Sequence, residues 1–173
     1  MRPRRPVALL SGEPAGTLAP RVAGAAEFRA TLAWRGPEDV PRETALVHPP
    51  GPARFALAQS EDPDAATRHL SGELTALSRT DLGAALEAVL REITTFATLT
   101  EATLEVSVVR SLPPRVASPR ALEGLARDLW EAGFPVRFAP SWTPSPQADV
   151  YLGVGGSDYL FEFVRSHPSW SLA

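Results

Sequence analysis

The side chains that could do chemistry are three histidines, a few serines beside glycines, and scattered carboxylates. His48, His69 and His167 fit neither H-x-x-x-H nor H-E-x-x-H, the spacings that turn two imidazoles to one side of a helix for zinc. His48 and His167 each precede a proline, which favours extended or turn backbone. Asp149, Asp158 and Glu162 bracket the last segments, and Asp128 and Glu131 lie near the end of a helical stripe. All five read as solvated turn and helix-end acids, so no metal and no cofactor is expected. Ser11 and Ser157 stand beside glycines, but no G-x-S-x-G elbow exists to present a nucleophile.

What is missing narrows the chemistry further. The chain has no cysteine and no lysine, so its 17 non-histidine basic residues are all arginine. Thiol nucleophiles, thiolate metal sites, Schiff-base catalysis and a Walker-type lysine are therefore excluded. These biases fit a GC-rich bacterial genome. The net charge of −3, spread along the chain, argues against a general nucleic-acid coat. The arginines of "MRPRRP" leave a weaker reading as a nucleic-acid accessory protein.

Two glycine-bearing stretches follow apolar runs. In "DVYLGVGGSDYLFEFV", Gly153 and Gly155 fit the first two positions of a dinucleotide fingerprint, but Asp158 stands where the third glycine belongs. Gly155, Gly156, Ser157 and Asp158 are all common turn residues, and together they predict a four-residue hairpin loop between two strands. The other stretch, Ser11–Gly16 ("SGEPAG"), resembles the glycine-rich opening of the 4-hydroxythreonine-4-phosphate dehydrogenases over those residues. The metal-binding histidines that the resemblance implies have no counterpart pattern, and the stretch reads as a strand followed by a turn.

One anion-binding arrangement stands out. Ser118 precedes a helical stripe, with Pro119 in its first turn and Arg115 and Arg120 flanking it. A helix start offers unpaired N–H groups and partial positive charge, so Arg115, Ser118 and Arg120 are candidates to hold a phosphate or carboxylate. Trp142, in a proline-rich loop, and Trp170, in the tail, belong to no strand or helix stripe and are candidate partner anchors.

These residues must be positioned by an α+β fold. "PVALL" reads as a buried strand, and residues 15–26 as a loop or weak helix. Residues 28–59 read as an antiparallel meander containing "EFRATLAW", "TALVH" and "ARFALAQ". Two packed helices follow: one capped by Asp62 with Ala66, Leu70, Leu74 and Leu77 as its stripe, one capped by Thr80 with Leu82, Leu86, Val89, Ile93 and Phe96. A βαβ unit comes next, "TLEVSVVRSL", a helix from Ser118 to Gly133, and "FPVRF", and a C-terminal β-hairpin closes the chain. The 173 residues suit a single domain, or two halves at 1–100 and 101–173.

Without a coherent catalytic set, the leading expectation is a non-enzymatic module that binds a protein partner or its own copy as a homo-oligomer. A small enzyme or binding protein for an anionic metabolite is the alternative. The apolar run after "MRPRR" is only "VALL", too short for a signal core, and no stretch approaches a membrane span, so a cytoplasmic location is expected.

Overall fold

The computed structural model describes residues 3–42, 49, 51–62 and 65–173. The α+β expectation holds: helices and several sheets are both present. The chain forms two compact units. Unit 1 combines Met1–Gly24 with Pro114–Ala173, and unit 2 is the continuous stretch Ala25–Pro113, so the boundaries fall near residues 24 and 114 and not near 100. No helix among the described residues is long and apolar enough to cross a membrane.

Unit 1 contains β1 (Arg5–Leu10), β2 (Thr17–Leu18) and β3 (Arg21–Val22) from the first part of the chain. Unit 2 adds β4 (Gly24–Ala33), β5 (Arg54–Asp62), β6 (Thr67–Ala76), α1 (Arg79–Leu99) and β7 (Thr103–Leu112). The rest of unit 1 is β8 (Arg115–Val116), α2 (Pro119–Glu131), β9 (Arg137–Phe138), β10 (Val150–Gly153), α3 (Asp158–Ser166) and β11 (Trp170–Leu172).

The sheet of unit 1 has the order β11-β1-β10-β2-β9. β1 runs parallel to both β10 and β11, with Val7 opposite Val150 and Leu10 opposite Gly153. A strand covered on both faces reads as a continuous apolar run, which is why "PVALL" and "VYLG" lack polar alternation. Val7, Val150 and Leu152 pack with α2 and α3 residues such as Leu125, Leu129, Leu160 and Val164. Ala8, Leu10 and Tyr151 pack with Val22, Ala117 and Ala148 in a second cluster. β3 and β8 form a separate antiparallel pair, Arg21 opposite Val116.

Unit 2 is a four-stranded sheet, β5-β6-β4-β7, with α1 against it. Phe28, Ala30, Leu32, Leu70 and Leu74 of the sheet meet Leu82, Ala85, Val89 and Ile93 of the helix. Ser78 caps α1, its Oγ accepting from the Asp81 amide at 3.0 Å, in place of the Thr80 cap expected.

Four expectations are corrected. Residues 17–26, read as a loop or weak helix, hold β2, β3 and the start of β4. The first of the two packed helices is the strand β6, whose burial alternates: Arg68, Leu70, Gly72, Leu74 and Ala76 are turned inward. The Leu70–Leu74 spacing of four fits both a helix turn and two strand repeats, and so cannot distinguish them. The βαβ unit does not form, because β7 belongs to the unit 2 sheet and β9 to that of unit 1. The C-terminal hairpin is absent: "DYLFEFVRS" is the helix α3. Leu160, Phe163 and Val164 supply its apolar side, with Leu160 and Val164 buried, while Tyr159 is 82% exposed. Glu162 and Arg165 pair at 2.8 Å along its surface. The parallel crossover of unit 1 is therefore β10–α3–β11, both strands lying parallel to β1. The "TALVH" strand lies outside the described residues.

Helical periodicity at the C-terminus predicts unequal costs for neighbouring substitutions. Leu160→Ala should destabilise by about 2–5 kcal/mol in urea unfolding, as for a buried leucine elsewhere. Tyr159→Ser should stay within about 0.5 kcal/mol of the parent, as expected at an exposed site.

Candidate functional site

Strands β1 and β10 end side by side, and each runs into one of the two glycine-bearing loops. In sheets with parallel strands, this carboxyl edge is where ligands ordinarily bind. The loops are bonded to each other through their backbones. Gly155 N donates to Glu13 O at 2.9 Å, Gly16 N to Gly153 O at 2.9 Å, and Val154 N to Leu10 O at 3.2 Å. Glycine is needed for this approach. A Cβ on Gly153 would lie 2.5 Å from Pro14 O, and Gly155 combines a φ of +50° with a Cβ position 2.7 Å from Ala15 N.

A third segment closes on the same place. Ser141, in the proline-rich loop, is fully buried, and its Oγ donates to Glu13 Oε1 at 2.7 Å. The Thr143 amide donates to that Oγ at 3.1 Å, so the hydroxyl proton is left for the carboxylate. Ser141 is itself held by its amide donating to Arg21 O and its carbonyl accepting from Ala23 N. Glu13 is thus a half-buried carboxylate fixed through one oxygen, in a loop whose neighbours Gly12, Pro14 and Ala15 are exposed. The first turn of α3 starts just beyond, at Asp158, and Ser157 makes no side-chain cap there. Its leading N–H groups have no partner within the helix.

Sequence reasoning singled out both loops but not their meeting, and it missed Glu13 and Ser141. Nothing in the local spacing brings Leu10 beside Gly153; the strand pairing does. One signal was available, a lone acid between glycines directly after a buried strand.

The residues proposed from sequence lie elsewhere. Ser118 does cap α2, its Oγ accepting from Ala121 N at 3.4 Å. Arg115 donates to Gln147 Oε1 at 3.4 Å, whereas Arg120 lines a cleft of about 820 Å³ with Arg5, Arg127, Asp128, His167 and Trp170. Arg115 and Arg120 are therefore not brought together around one anion. Trp170 is 2% exposed, so the role of partner anchor is corrected. Its indole N–H donates to Asp128 Oδ2 at 2.8 Å, and the Arg5 guanidinium lies 6.0 Å from its ring centroid. Arg5 is accordingly part of β1 and not of a free basic tail. Trp142 is half-buried in the loop that carries Ser141.

The two described histidines, His69 and His167, make local contacts. His69 Nδ1 lies 3.1 Å from Thr31 Oγ1 on the unit 2 sheet. His167 Nδ1 accepts from Ser169 N at 3.3 Å, which leaves Nε2, 3.9 Å from Asp128 Oδ2, to carry the proton in the neutral ring. His48 lies outside the described residues. Among the described residues, no three histidine, aspartate or glutamate side chains are grouped to share a metal ion.

Comparison with known proteins places this architecture. No family model matches the sequence, and no curated protein matches it by sequence. Solved structures do match. AtUAH in complex with glyoxylate superposes with a TM-score of 0.61 at 11% identity, over 79% of this chain and 41% of the other. An amidase of the hydantoinase/carbamoylase family from Burkholderia multivorans gives 0.57 at 12% identity, over 82% and 43%. An aminobenzoyl-glutamate utilization protein from Klebsiella pneumoniae gives 0.52 at 15% identity, over 80% and 43%. The fold is shared with these proteins. The matched share exceeds what either unit alone could supply. The chain spans about two-fifths of the length of those structures. The expectation of a non-enzymatic protein-binding or self-associating module is corrected on this ground, because its architecture is one that amidases carry.

The Asp128–Trp170 bond gives a test of how the cleft end of unit 1 is held. Asp128→Ala strands a buried indole N–H and should cost about 1–3 kcal/mol in urea unfolding. Asp128→Asn, which keeps an acceptor, should recover most of that loss.

Proposed function

We propose that this chain is a hydrolase-like domain of the amidase type, acting on a C–N bond in a small carboxylate-bearing substrate. The single observation that carries the reading is the superposition of four-fifths of the chain on hydantoinase/carbamoylase-family amidases. The shared glycine-loop edge of β1 and β10 supports placing the chemistry there.

In this reading Glu13 takes a proton from the attacking water as hydroxide adds to the substrate carbonyl carbon. The same proton passes to the departing nitrogen when the tetrahedral intermediate collapses. Ser141 is a positioning residue: its hydroxyl fixes one carboxylate oxygen and so the direction of the other. The leading N–H groups of α3 suit an anionic oxygen, either the substrate carboxylate or the oxyanion. Glycine at 153 and 155 lets the two loops approach closely. A cytoplasmic location is part of the same proposal, and cell fractionation checks it.

Binding and turnover test the reading together. Titration with N-carbamoyl and N-acyl amino acids should move the amide resonances of residues 12–16 and 153–159. Glu13→Gln should lower amine release by about a hundredfold or more, in line with loss of a general base. Ser141→Ala should lower it less and leave the fold intact. If neither substrate class shifts those amides, the assignment of the site is overturned.

A further inference from the structure

The amino edge of the unit 1 sheet carries the cleft of about 820 Å³. Arg5 opens β1, Trp170 opens β11, and Asp149 directly precedes β10. Those three strands run parallel, so the cleft lies at the opposite end of the sheet from the glycine loops. Its volume is that of a pocket for one small molecule. All of its lining residues belong to unit 1.

Four arginines gather there, in a chain whose net charge is −3: Arg4, Arg5, Arg120 and Arg127. Positions 120, 124 and 127 share one side of α2, and the outer two are two turns apart, about 10 Å along the axis. Arg5 lies across the helix between them. Its Nη1 donates to Arg120 O at 3.4 Å and is 3.9 Å from where a Cβ on Gly124 would stand. The buried ring of Trp170 meets the same glycine and supports the Arg5 guanidinium, 6.0 Å from the ring centroid. Trp170 is fixed in turn by its bond to Asp128. The result is a row of three arginines along α2 whose middle member is anchored.

These charges are scarcely neutralised from within. Among the described residues, Arg4, Arg5 and Arg120 have no ion-pair partner. Arg127 approaches only its neighbour Asp128, at 3.8 Å, and that carboxylate already serves the Trp170 indole. Glu123 and Asp149 line the same cleft without pairing to any arginine among the described residues. A single carboxylate occupies one guanidinium fork, whereas a row of forks suits an extended anion with several oxygens to offer. The two free carboxylates accept from hydroxyl or amino groups and repel a long polyanionic strand.

We propose that this cleft is a second ligand site, for a small molecule bearing an oligophosphate chain. The phosphates lie along Arg120, Arg5 and Arg127, each guanidinium donating to phosphate oxygens, and Arg4 adds a fourth positive charge. Glu123 and Asp149 meet the remainder of the ligand. Glu13 and Ser141 take no part, so the site stands independently of the amidase reading.

Calorimetric titration of the full chain with inorganic tripolyphosphate and with ATP tests this. Saturable one-to-one binding is expected, with shifts at the amides of residues 120–128 and 167–170 and none at residues 12–16. Equal affinity for the two compounds assigns recognition to the phosphate chain alone, and tighter binding of ATP assigns the carboxylates to the nucleoside. Arg120→Gln and Arg127→Gln should each weaken binding about tenfold or more, as for loss of a charge-assisted hydrogen bond. Both side chains are exposed, and circular dichroism matching the parent shows that the variants remain folded. Arg115→Gln, at a side chain turned to Gln147 outside the cleft, should bind as the parent does. The proposal is overturned if neither compound binds, or if Arg115→Gln weakens binding as much as Arg120→Gln. It is overturned equally if a single-stranded oligonucleotide displaces ATP at equal concentration, which would assign the arginines to nucleic acid.

Discussion

The parallel pairing of β1 with β10 is the constraint on which unit 1 depends. It joins Val7 to Val150 and Leu10 to Gly153, and everything at the carboxyl edge follows from that register. The two glycine loops meet because the strands that feed them end level. Glu13 reaches Ser141 because Gly153 has no side chain to hold the loops apart. A shift of one residue would exchange the two apolar faces of each strand, turning Val7 towards Tyr151's cluster and Ala8 towards α2. Burial on both faces makes that exchange costly and keeps the register single.

Legibility in the sequence tracked how locally each element is determined. α2 could be read because its cap, its N-terminal proline, its apolar stripe and Gly133 lie within a few residues of one another. α1 was legible from a stripe long enough to average out ambiguity, though its cap was placed two residues late. β6 and α3 were misread in opposite directions for one reason. Short segments with apolar residues four apart satisfy both periods, and aromatic content then biases the choice towards strand. In α3 the deciding pattern was Leu160, Phe163 and Val164, outweighed by Tyr159 and Phe161, which are surface residues.

The candidate site was half legible. Each glycine loop could be noticed alone, since turn residues after an apolar run are a local signal. Their partnership could not, because it depends on which strands pair and in what order. The same holds for Ser141, whose segment looks like an ordinary proline-rich connection until Arg21 and Ala23 bond to it. Arg115, Ser118 and Arg120 illustrate the converse. They form a plausible local constellation, yet the side chains turn to Gln147, to the helix's own amide and to a separate cleft.

The short β3–β8 pair has a wider meaning than its two bonded positions suggest. By tying Arg21 to Val116, it staples together the points where the chain leaves unit 1 and returns to it. Unit 2 is thus a self-contained excursion, whereas unit 1 is assembled from pieces on either side of it. On the ribosome, the excursion can fold as soon as its last strand emerges. β1 must wait, with both edges open, until β10 and β11 have been made. The interval in which β1 stands unpaired is when this protein is most exposed to misassociation, and the inserted unit lengthens it.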